Sequence, residues 1–289
     1  MNYCHWAKSL GALEDTAENV WGTEKYILWK HLKEPTVFFG MYDVRDYLAL
    51  SIHRGKSWVL WAGGDIKNLI RGFSLNDGKL KWFGKFLPLT WWLKHMLCKA
   101  EHWVENDYEA DKLASFGLDR KRIYVCPSFL GDIDFPITYE WNKTMNVYVS
   151  SGADRQEEYG FGIVERIAGK LPFIKFHLFG AEWTTKQENV IVHGRISKEL
   201  MNFRTSYMQV GLRLNEFDGF SEILAKAVLR GQYAIGKVKH PMIPSFENDM
   251  DLILKLNTLR HKTEPNLEGR EYYKLALNKY PWYDKENER

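Results

Sequence analysis

The sequence predicts an α/β protein of two domains, each a parallel sheet covered by helices. Three observations carry this. Short apolar runs alternate with helical patterns along most of the chain, the pattern of a parallel sheet with helices on both faces. The length, 289 residues, suggests two domains at about 150 residues each. An aperiodic stretch with two prolines and one glycine, Pro127–Lys143, divides the chain near its middle and reads as a linker. The two halves are expected to face one another across a cleft.

In the first half, Thr36–Met41 and Ser57–Ala62 read as buried strands, with helical apolar spacing over Asp43–His53 between them. A helix is expected over Leu89–Lys99. His102–Val104 is a brief apolar run. Asn106 suits the N-cap of a helix reaching Phe116, Gly117 stops it, and Ile123–Cys126 forms a strand. In the second half, strands are expected at Asn146–Ser150, Phe173–Phe179, Val190–Val192, Val210–Leu214 and Tyr233–Ile235. Helices are expected at Glu157–Lys170, Lys198–Ser206, Glu222–Arg230 and Asp249–His261. A last helical run, Leu267–Tyr280, ends at Pro281.

Composition narrows the function classes. Lys and Arg total 40 against 37 Asp and Glu, a net charge of +3, which argues against a dedicated nucleic-acid binder. Three separated cysteines (Cys4, Cys98, Cys126) give neither a zinc spacing nor a disulfide framework, so a cytoplasmic, reducing setting is expected. No apolar run reaches the ~20 residues that span a bilayer, and the N-terminal stretch lacks the apolar core of a signal peptide. The sequence holds no HExxH, GxSxG or Walker loop. The content of 12 Trp, 15 Tyr and 16 Phe suits a core, a sugar or base site, or a membrane-facing surface.

The most informative segment is Val210–Gly236, VGLRLNEFDGFSEILAKAVLRGQYAIG. An apolar strand ends at Leu214. A loop with Glu216, Asp218 and Gly219 follows, then a helix with Ser221 as N-cap and Gly231 as its stop. Parallel sheets bind ligands at this carboxyl edge, and a helix N-terminus suits a phosphate. An ordinary strand-to-helix turn fits the same loop. The run Arg213–Gly236 resembles the donor-site motif of retaining glycosyltransferases of the GT-B fold, particularly glycosyltransferase family 4. That motif has an acidic residue, a glycine-containing triplet, and a Glu eight positions after the first acid. Asp218 falls on the first position and Gly219, Phe220 and Ser221 on the triplet. Lys226 stands where the second Glu, the ribose contact, is expected. Glu222 and Lys226 also fit a surface i,i+4 pair.

The segment NVYVSSGADRQEEYGFG (Asn146–Gly162) is similar to the same family's diphosphate loop. The resemblance implies that Arg155 is the first diphosphate cation, with Tyr159 near the place of the usual Lys. Ser151 and Gly152 would offer backbone N–H groups to the phosphates. Arg suits bidentate contact with phosphate oxygens. Arg195 and Ile196 occupy the turn that the resemblance places near the base, where Ser197 as N-cap is the structural explanation. Arg213 is a further cation candidate. The resemblance spans residues 146–236.

The first half resembles the family less. Glu101–Phe129 looks like the end of an acceptor domain, and Gly64 and Asp65 in WAGGDI are acceptor-side candidates; Asp65 also suits an N-cap. Gly78–Ala100 carries five lysines and no acid, interleaved with Trp and Phe. It suits an anionic membrane surface or a core helix with solvated lysines. Asp132 and Asp134 form an Asp-x-Asp triplet inside the linker, away from a strand end, and are read as coincidental.

The resemblance thus implies two Rossmann-like domains (GT-B) with a reduced N-terminal one: residues 1–130 on the acceptor side, 144–265 binding the donor, and a C-terminal helix, 266–289, returning to the first domain. It implies a hexosyltransferase-like enzyme that moves a sugar from a nucleotide-diphosphate sugar to a hydroxyl of a glycan, lipid-linked or protein acceptor. Retention is expected, with Asp218 and Arg155 as the catalytic pair and neither cofactor nor metal. The alternatives are a degenerate protein that only binds nucleotide or sugar, and a scaffold peripheral at the membrane.

Overall fold

The computed structural model describes residues 2–13, 19–71, 89–152 and 154–283. The chain divides into two units. One holds the residues up to Gly131 together with the tail from Leu277; the other is Asp132–Ala276.

The first unit is a six-stranded parallel sheet. Its strands are β1 (Tyr3–Trp6), β2 (Glu24–Lys25), β3 (Thr36–Phe39), β4 (Ser57–Leu60), β5 (Glu101–Val104) and β6 (Ile123–Val125), in the order β2-β1-β3-β4-β5-β6. Every residue of β3 and β4 is buried, as a central parallel strand covered on both faces requires. The described helices are α1 (Val44–Ile52), α2 (Gly64–Arg71), α3 (Leu89–Leu97) and α4 (Asp107–Phe116). Asp43 and Asp46 form a capping box at the start of α1. Asn106 accepts the Glu109 N–H at 2.9 Å to start α4. Gly117 ends that helix at φ 106°, a conformation glycine adopts without Cβ strain. β1 and β2 carry no alternation and β2 is only two residues long, so the sequence pattern does not signal them. They form because β3 offers β1 a partner edge.

The second unit is a five-stranded parallel sheet. Its strands are β7 (Met145–Ser150), β8 (Ile174–Phe179), β9 (Val190–Gly194), β10 (Val210–Arg213) and β11 (Tyr233–Gly236), in the order β11-β10-β7-β8-β9. Its helices are α5 (Phe161–Ala168), α6 (Lys198–Ser206), α7 (Glu222–Leu229), α8 (Asp249–Leu259) and α9 (Leu267–Ala276). Val147, Phe176, Leu178, Leu212 and Leu252 are fully buried in one core. The chain runs outward from β7 through β8 to β9, then crosses back to place β10 on the other side of β7. The order therefore reverses between β7 and β10, where such sheets open a crevice for ligands.

The C-terminal helix differs from the expectation of one helix over Leu267–Tyr280 returning to the first domain. Helix α9 ends at Ala276 and packs on α7 within the second unit. Asn278 breaks the pattern at φ 56°, and its amide bonds both backbone groups of Phe129, at 2.9 and 2.6 Å. Only the stretch after the helix joins the first unit, with Tyr280 and Trp282 in its core. In the Lys/Trp run Gly78–Ala100, residues 78–88 lie outside the described residues. In the remainder, Leu93, Met96 and Leu97 are buried, while Trp91 is exposed and stacks on His95.

Candidate functional site

A pocket of about 340 Å³ opens where β7 and β10 end in the second unit. Three pieces of chain build it. The first is the end of β7 with its loop: Tyr148, Ser150, Ser151, Gly152 and Tyr159. The second is the end of β10 and the start of α7: Arg213, Ser221, Glu222, Ile223 and Lys226. The third is one face of α6: Lys198, Met201, Asn202 and Thr205.

Local rules explain each piece. Gly160 sits at φ 85°, and a Cβ there would stand 2.4 Å from the Leu214 Cβ. Only glycine lets the β7–α5 loop approach β10 this closely. Ser221 caps α7 by accepting the Leu224 N–H at 3.3 Å, which leaves other first-turn N–H groups of the helix without partners inside it. Ser197 caps α6 by accepting the Leu200 N–H at 3.2 Å. The spacing 198, 201, 202, 205 then puts four side chains on one helix face.

The charges are arranged in two groups. Arg213 pairs with Asp218. The Arg213 guanidinium lies 4.4 Å from the centre of the Tyr159 ring, and that of Arg155 lies 4.9 Å from it. The Arg155 Nη2 also donates to the Tyr159 hydroxyl at 2.8 Å. Burial alone would push the Arg213 guanidinium down, but the Asp218 carboxylate outweighs it and holds Arg213 above its ordinary range. In the second group, Glu222 pairs with Lys226 at 2.5 Å and Lys198 at 3.3 Å. Lys226 also donates to Asn202 Oδ1 at 2.6 Å. Burial drives the Lys226 ammonium below its usual range despite the pull of Glu222. Burial pushes Glu222 up, and its bonds to Lys226 and Lys198 more than reverse this. The Glu222–Lys226 pair is thus more than a solvated surface pair: the Glu222 side chain is half exposed, but the Lys226 side chain is only 12% exposed and both residues line the pocket.

Of the residues singled out in the sequence, Ser151, Gly152, Tyr159, Arg213, Ser221, Glu222 and Lys226 line this pocket. Arg155 stands beside it over Tyr159. Asp218 acts on it through Arg213. Others lie elsewhere. Phe220 is buried, stacked on Tyr273 at 4.7 Å and edge-on to His240, so its ring holds the loop to the core. Gly219 belongs to the same turn. Arg195 is exposed and, with Ile196, lies outside the lining. Asp65 is fully buried in the first unit. It accepts the backbone N–H groups of Met41 (2.9 Å), Ala62 (3.1 Å) and Ile66 (2.8 Å), and burial pushes its pKa up to about 6. Its carboxylate knots the ends of β3 and β4 together. Neighbouring Gly64 is exposed at the start of α2. Asp132 accepts the Asp134 N–H at 2.8 Å within a turn, and Asp134 pairs with Lys274 at 2.7 Å. The pocket residues that sequence reading missed are Tyr148, Ser150, Ile223 and the α6 face. The helical spacing of that face, directly after a capped turn, was the available signal.

No family profile and no curated protein matches the chain. Solved structures do. The lipopolysaccharide outer core galactosyltransferase WaaB superimposes with a TM-score of 0.61 at 12% identity, over 99% of this chain and 98% of that one. Anabaena HepE, in complex with UDP and glucose, gives 0.58 at 10% identity, over 96% and 95%. The chain has the GT-B fold of these glycosyltransferases. TarM gives 0.54 at 13% identity over 87% of this chain, which spans only 53% of TarM's length. No described helix is long and apolar enough to cross a membrane.

Proposed function

We propose that this chain transfers a sugar from a nucleotide-diphosphate donor to a hydroxyl acceptor, in the manner of glycosyltransferase family 4. The observation that carries the reading is the crevice between β7 and β10. It brings the Ser151–Gly152 loop, the Arg155–Tyr159–Arg213 stack and the first turn of α7 around one pocket. The reaction breaks the bond between the anomeric carbon and the diphosphate oxygen and forms one to the acceptor oxygen. The acceptor's proton leaves on the departing diphosphate. Charge builds on that diphosphate in the transition state, so fixed cations and N–H groups lower the barrier more than a strong base would.

Arg155 and Arg213 are the side chains that would meet this charge, with the N-terminus of α7 adding its dipole. Ser151 and Gly152 would present backbone N–H groups to the same phosphates. Protein cations in these places would take the role a metal plays elsewhere, so the reaction is proposed to be metal-independent; retention at the anomeric carbon is proposed from the family 4 resemblance alone. The UDP bound in HepE makes UDP-sugars the first donors to test. The acceptor class is a glycan, lipid-linked or protein hydroxyl.

The test is a panel of UDP- and GDP-sugars, read first by thermal shift and then by slow donor hydrolysis in the absence of acceptor. A melting temperature raised by UDP, and release of free sugar of retained configuration by NMR, support the reading. Activity abolished by EDTA and restored by Mn²⁺ overturns metal independence. Nucleotide binding without any hydrolysis or transfer leaves a binding protein, the outcome that Lys226 at the expected Glu position favours.

A further inference from the structure

The first unit carries a surface that the proposed reaction does not use. It lies at the edge where β3, β4, β5 and β6 begin, opposite the carboxyl edge where parallel sheets place their ligands. Hydrogen bonds tie the loops that enter these strands into one continuous face. Arg54 and Gly55 donate their N–H groups to Leu32 O at 2.7 and 3.1 Å. Lys99 Nζ reaches Ser51 O at 3.1 Å, and Arg122 Nη2 reaches Lys99 O at 3.0 Å. A Cβ on Gly55 would stand 2.5 Å from Lys33 O, so the turn before β3 is pressed against the loop before β4.

This face is basic. Lys30, Lys33, Arg54, Lys99 and Lys121 are exposed on it, with Arg122 half-buried. The nearby carboxylates are fewer and partly engaged: Glu101 accepts the Trp58 indole N–H at 3.1 Å, and Asp119 accepts the Lys121 N–H at 3.0 Å. Glu34 is exposed beside Lys33, and Asp107 pairs with Arg120 at 3.6 Å. The whole chain carries a net charge of only +3, so a local cluster of this size stands out from the near balance of the sequence.

The face also displays Trp29. At 77% exposure it is the most exposed large apolar side chain among the described residues, and Ile27 beside it is 53% exposed. A turn locked from inside holds them outward. The Ile27 N–H donates to His31 Nδ1 at 3.0 Å, Ile27 O accepts from Lys30 and His31 at 3.0 Å each, and the buried His31 ring stacks on Tyr3 at 3.9 Å. An ordinary solvent-facing turn gains nothing from presenting an indole and an isoleucine together. An interfacial anchor does, because an indole settles at headgroup depth and an aliphatic side chain reaches the acyl boundary, while lysines around them pair with anionic lipid.

We infer that this edge of the first unit docks on an anionic lipid bilayer, with Trp29 and Ile27 inserting and the Lys30–Lys33–Arg54–Lys99 rim meeting the headgroups. The surface shares only Lys99 with the Gly78–Ala100 run and does not depend on the transferase reading. Single-stranded RNA is the competing partner, since it also takes basic faces with an aromatic. Ile27, which offers no stacking plane, favours lipid.

The experiment is vesicle flotation of the full chain, with no donor or acceptor present. Binding to vesicles containing 30 mol% phosphatidylglycerol is expected, with at least tenfold weaker binding to pure phosphatidylcholine and a strong loss at 0.5 M salt. Each removed cation should cost about fivefold in partitioning. Lys30→Glu with Lys33→Glu should therefore abolish flotation. Trp29→Ser should weaken it several-fold while leaving its salt dependence. Both variants change exposed side chains only, and an unchanged melting temperature confirms that they fold. The inference is overturned if the native chain stays with the soluble fraction at low salt, if neutral vesicles bind as well as anionic ones, or if both variants float like the native chain. It is also overturned in favour of RNA if a polyuridine oligonucleotide binds more tightly than the vesicles and displaces them.

Discussion

Two residues decide how the pocket handles charge, and the structure gives them different tasks. Arg213 faces the pocket from the end of β10, nearly buried beneath Tyr159 and paired with Asp218. Asp218 sits behind it, so its carboxylate orients a cation rather than standing free toward a sugar. A charged hydrogen bond to a phosphate is worth about 1.5–3 kcal/mol. Arg213→Gln should therefore weaken nucleoside-diphosphate binding by about 10–100-fold and leave the weak binding of the bare nucleoside unchanged, as isothermal titration would show. Equal loss for both ligands would mean that the pocket collapsed instead. Asp218→Asn keeps a turn-forming side chain and removes the charge. Transfer should fall by about 10²–10³, and UDP affinity should fall with it, because Arg213 loses its anchor. Near-native transfer by this variant would reduce Asp218 to a turn residue.

At the level of elements, β8, β9 and α6 share a chain of side chains whose protons have only one consistent arrangement. Arg204 on α6 donates to His193 Nδ1 at 2.7 Å. His193 Nε2 must then donate to His177 Nδ1 at 2.9 Å, and His177 Nε2 to Asn146 Oδ1 at 3.1 Å. Both rings are neutral, and an added proton breaks the chain at one link. Burial lowers His177 to about 4, and burial with the Arg204 charge lowers His193. Burial also takes His102 and His240 to about 4. Such a histidine stays neutral in the folded protein at a pH where the unfolded chain takes up a proton, so acid favours unfolding. The loss starts as pH drops below about 6.5 and is complete near 4. Asp65, raised to about 6 by burial, acts in the opposite direction, adding stability as pH falls from 6 toward 3.8. Each group amounts to about 3 kcal/mol over its window, and three histidines at about 4 outnumber one aspartate. The melting temperature should thus fall steadily from pH 6.5 to 4, with a shallower slope in His177→Asn. A flat or rising profile would contradict the neutral assignment.

Most of these elements were legible in the sequence because their ends carry chemistry. Ser197, Ser221 and Asn106 are caps that fix where α6, α7 and α4 begin, and Gly117 fixes where α4 stops. β1 was not legible, since YCHW has no period and becomes a strand through its pairing with β3. The site followed the same division. Arg213, Ser221 and Glu222 sit on a recognisable strand–loop–helix. Asp65 misled because a loop carboxylate after a strand suits a ligand and a backbone knot equally well, and only burial separates the two. Lys226 was legible only through the resemblance, which placed it at the donor site; its i,i+4 spacing to Glu222 fits a surface pair equally well, and only the helix lining the pocket separates the two.

For the whole molecule, the decisive feature is that the chain breaks into units at different places from those where its function-bearing segments begin and end. Every lining residue of the pocket lies between Tyr148 and Lys226, and the core beneath it runs from Met145 to Leu259. Helix α9 closes this unit by packing on α7, with the Tyr273 hydroxyl donating to Pro241 O at 2.6 Å. The tail beyond it belongs to the other core, where Trp282 is buried against Trp58 and Trp21. A cut between Ala276 and Leu277 therefore removes no core residue from the second unit, while a cut at Ala276 in the full chain strips Tyr280 and Trp282 from the first. The polypeptide 132–276 expressed alone should fold cooperatively and bind UDP with the affinity of the full chain, within about threefold. It should show no transfer, because the proposed acceptor side lies in the first unit. Titration calorimetry on the fragment checks the first point, and a radiolabelled-donor assay checks the second. A fragment that folds but has lost UDP would show that residues outside 132–276 complete the donor site. The full chain truncated after Ala276 should instead keep UDP binding while losing the melting transition of its first unit, since deleting a buried Trp side chain alone costs about 3–5 kcal/mol.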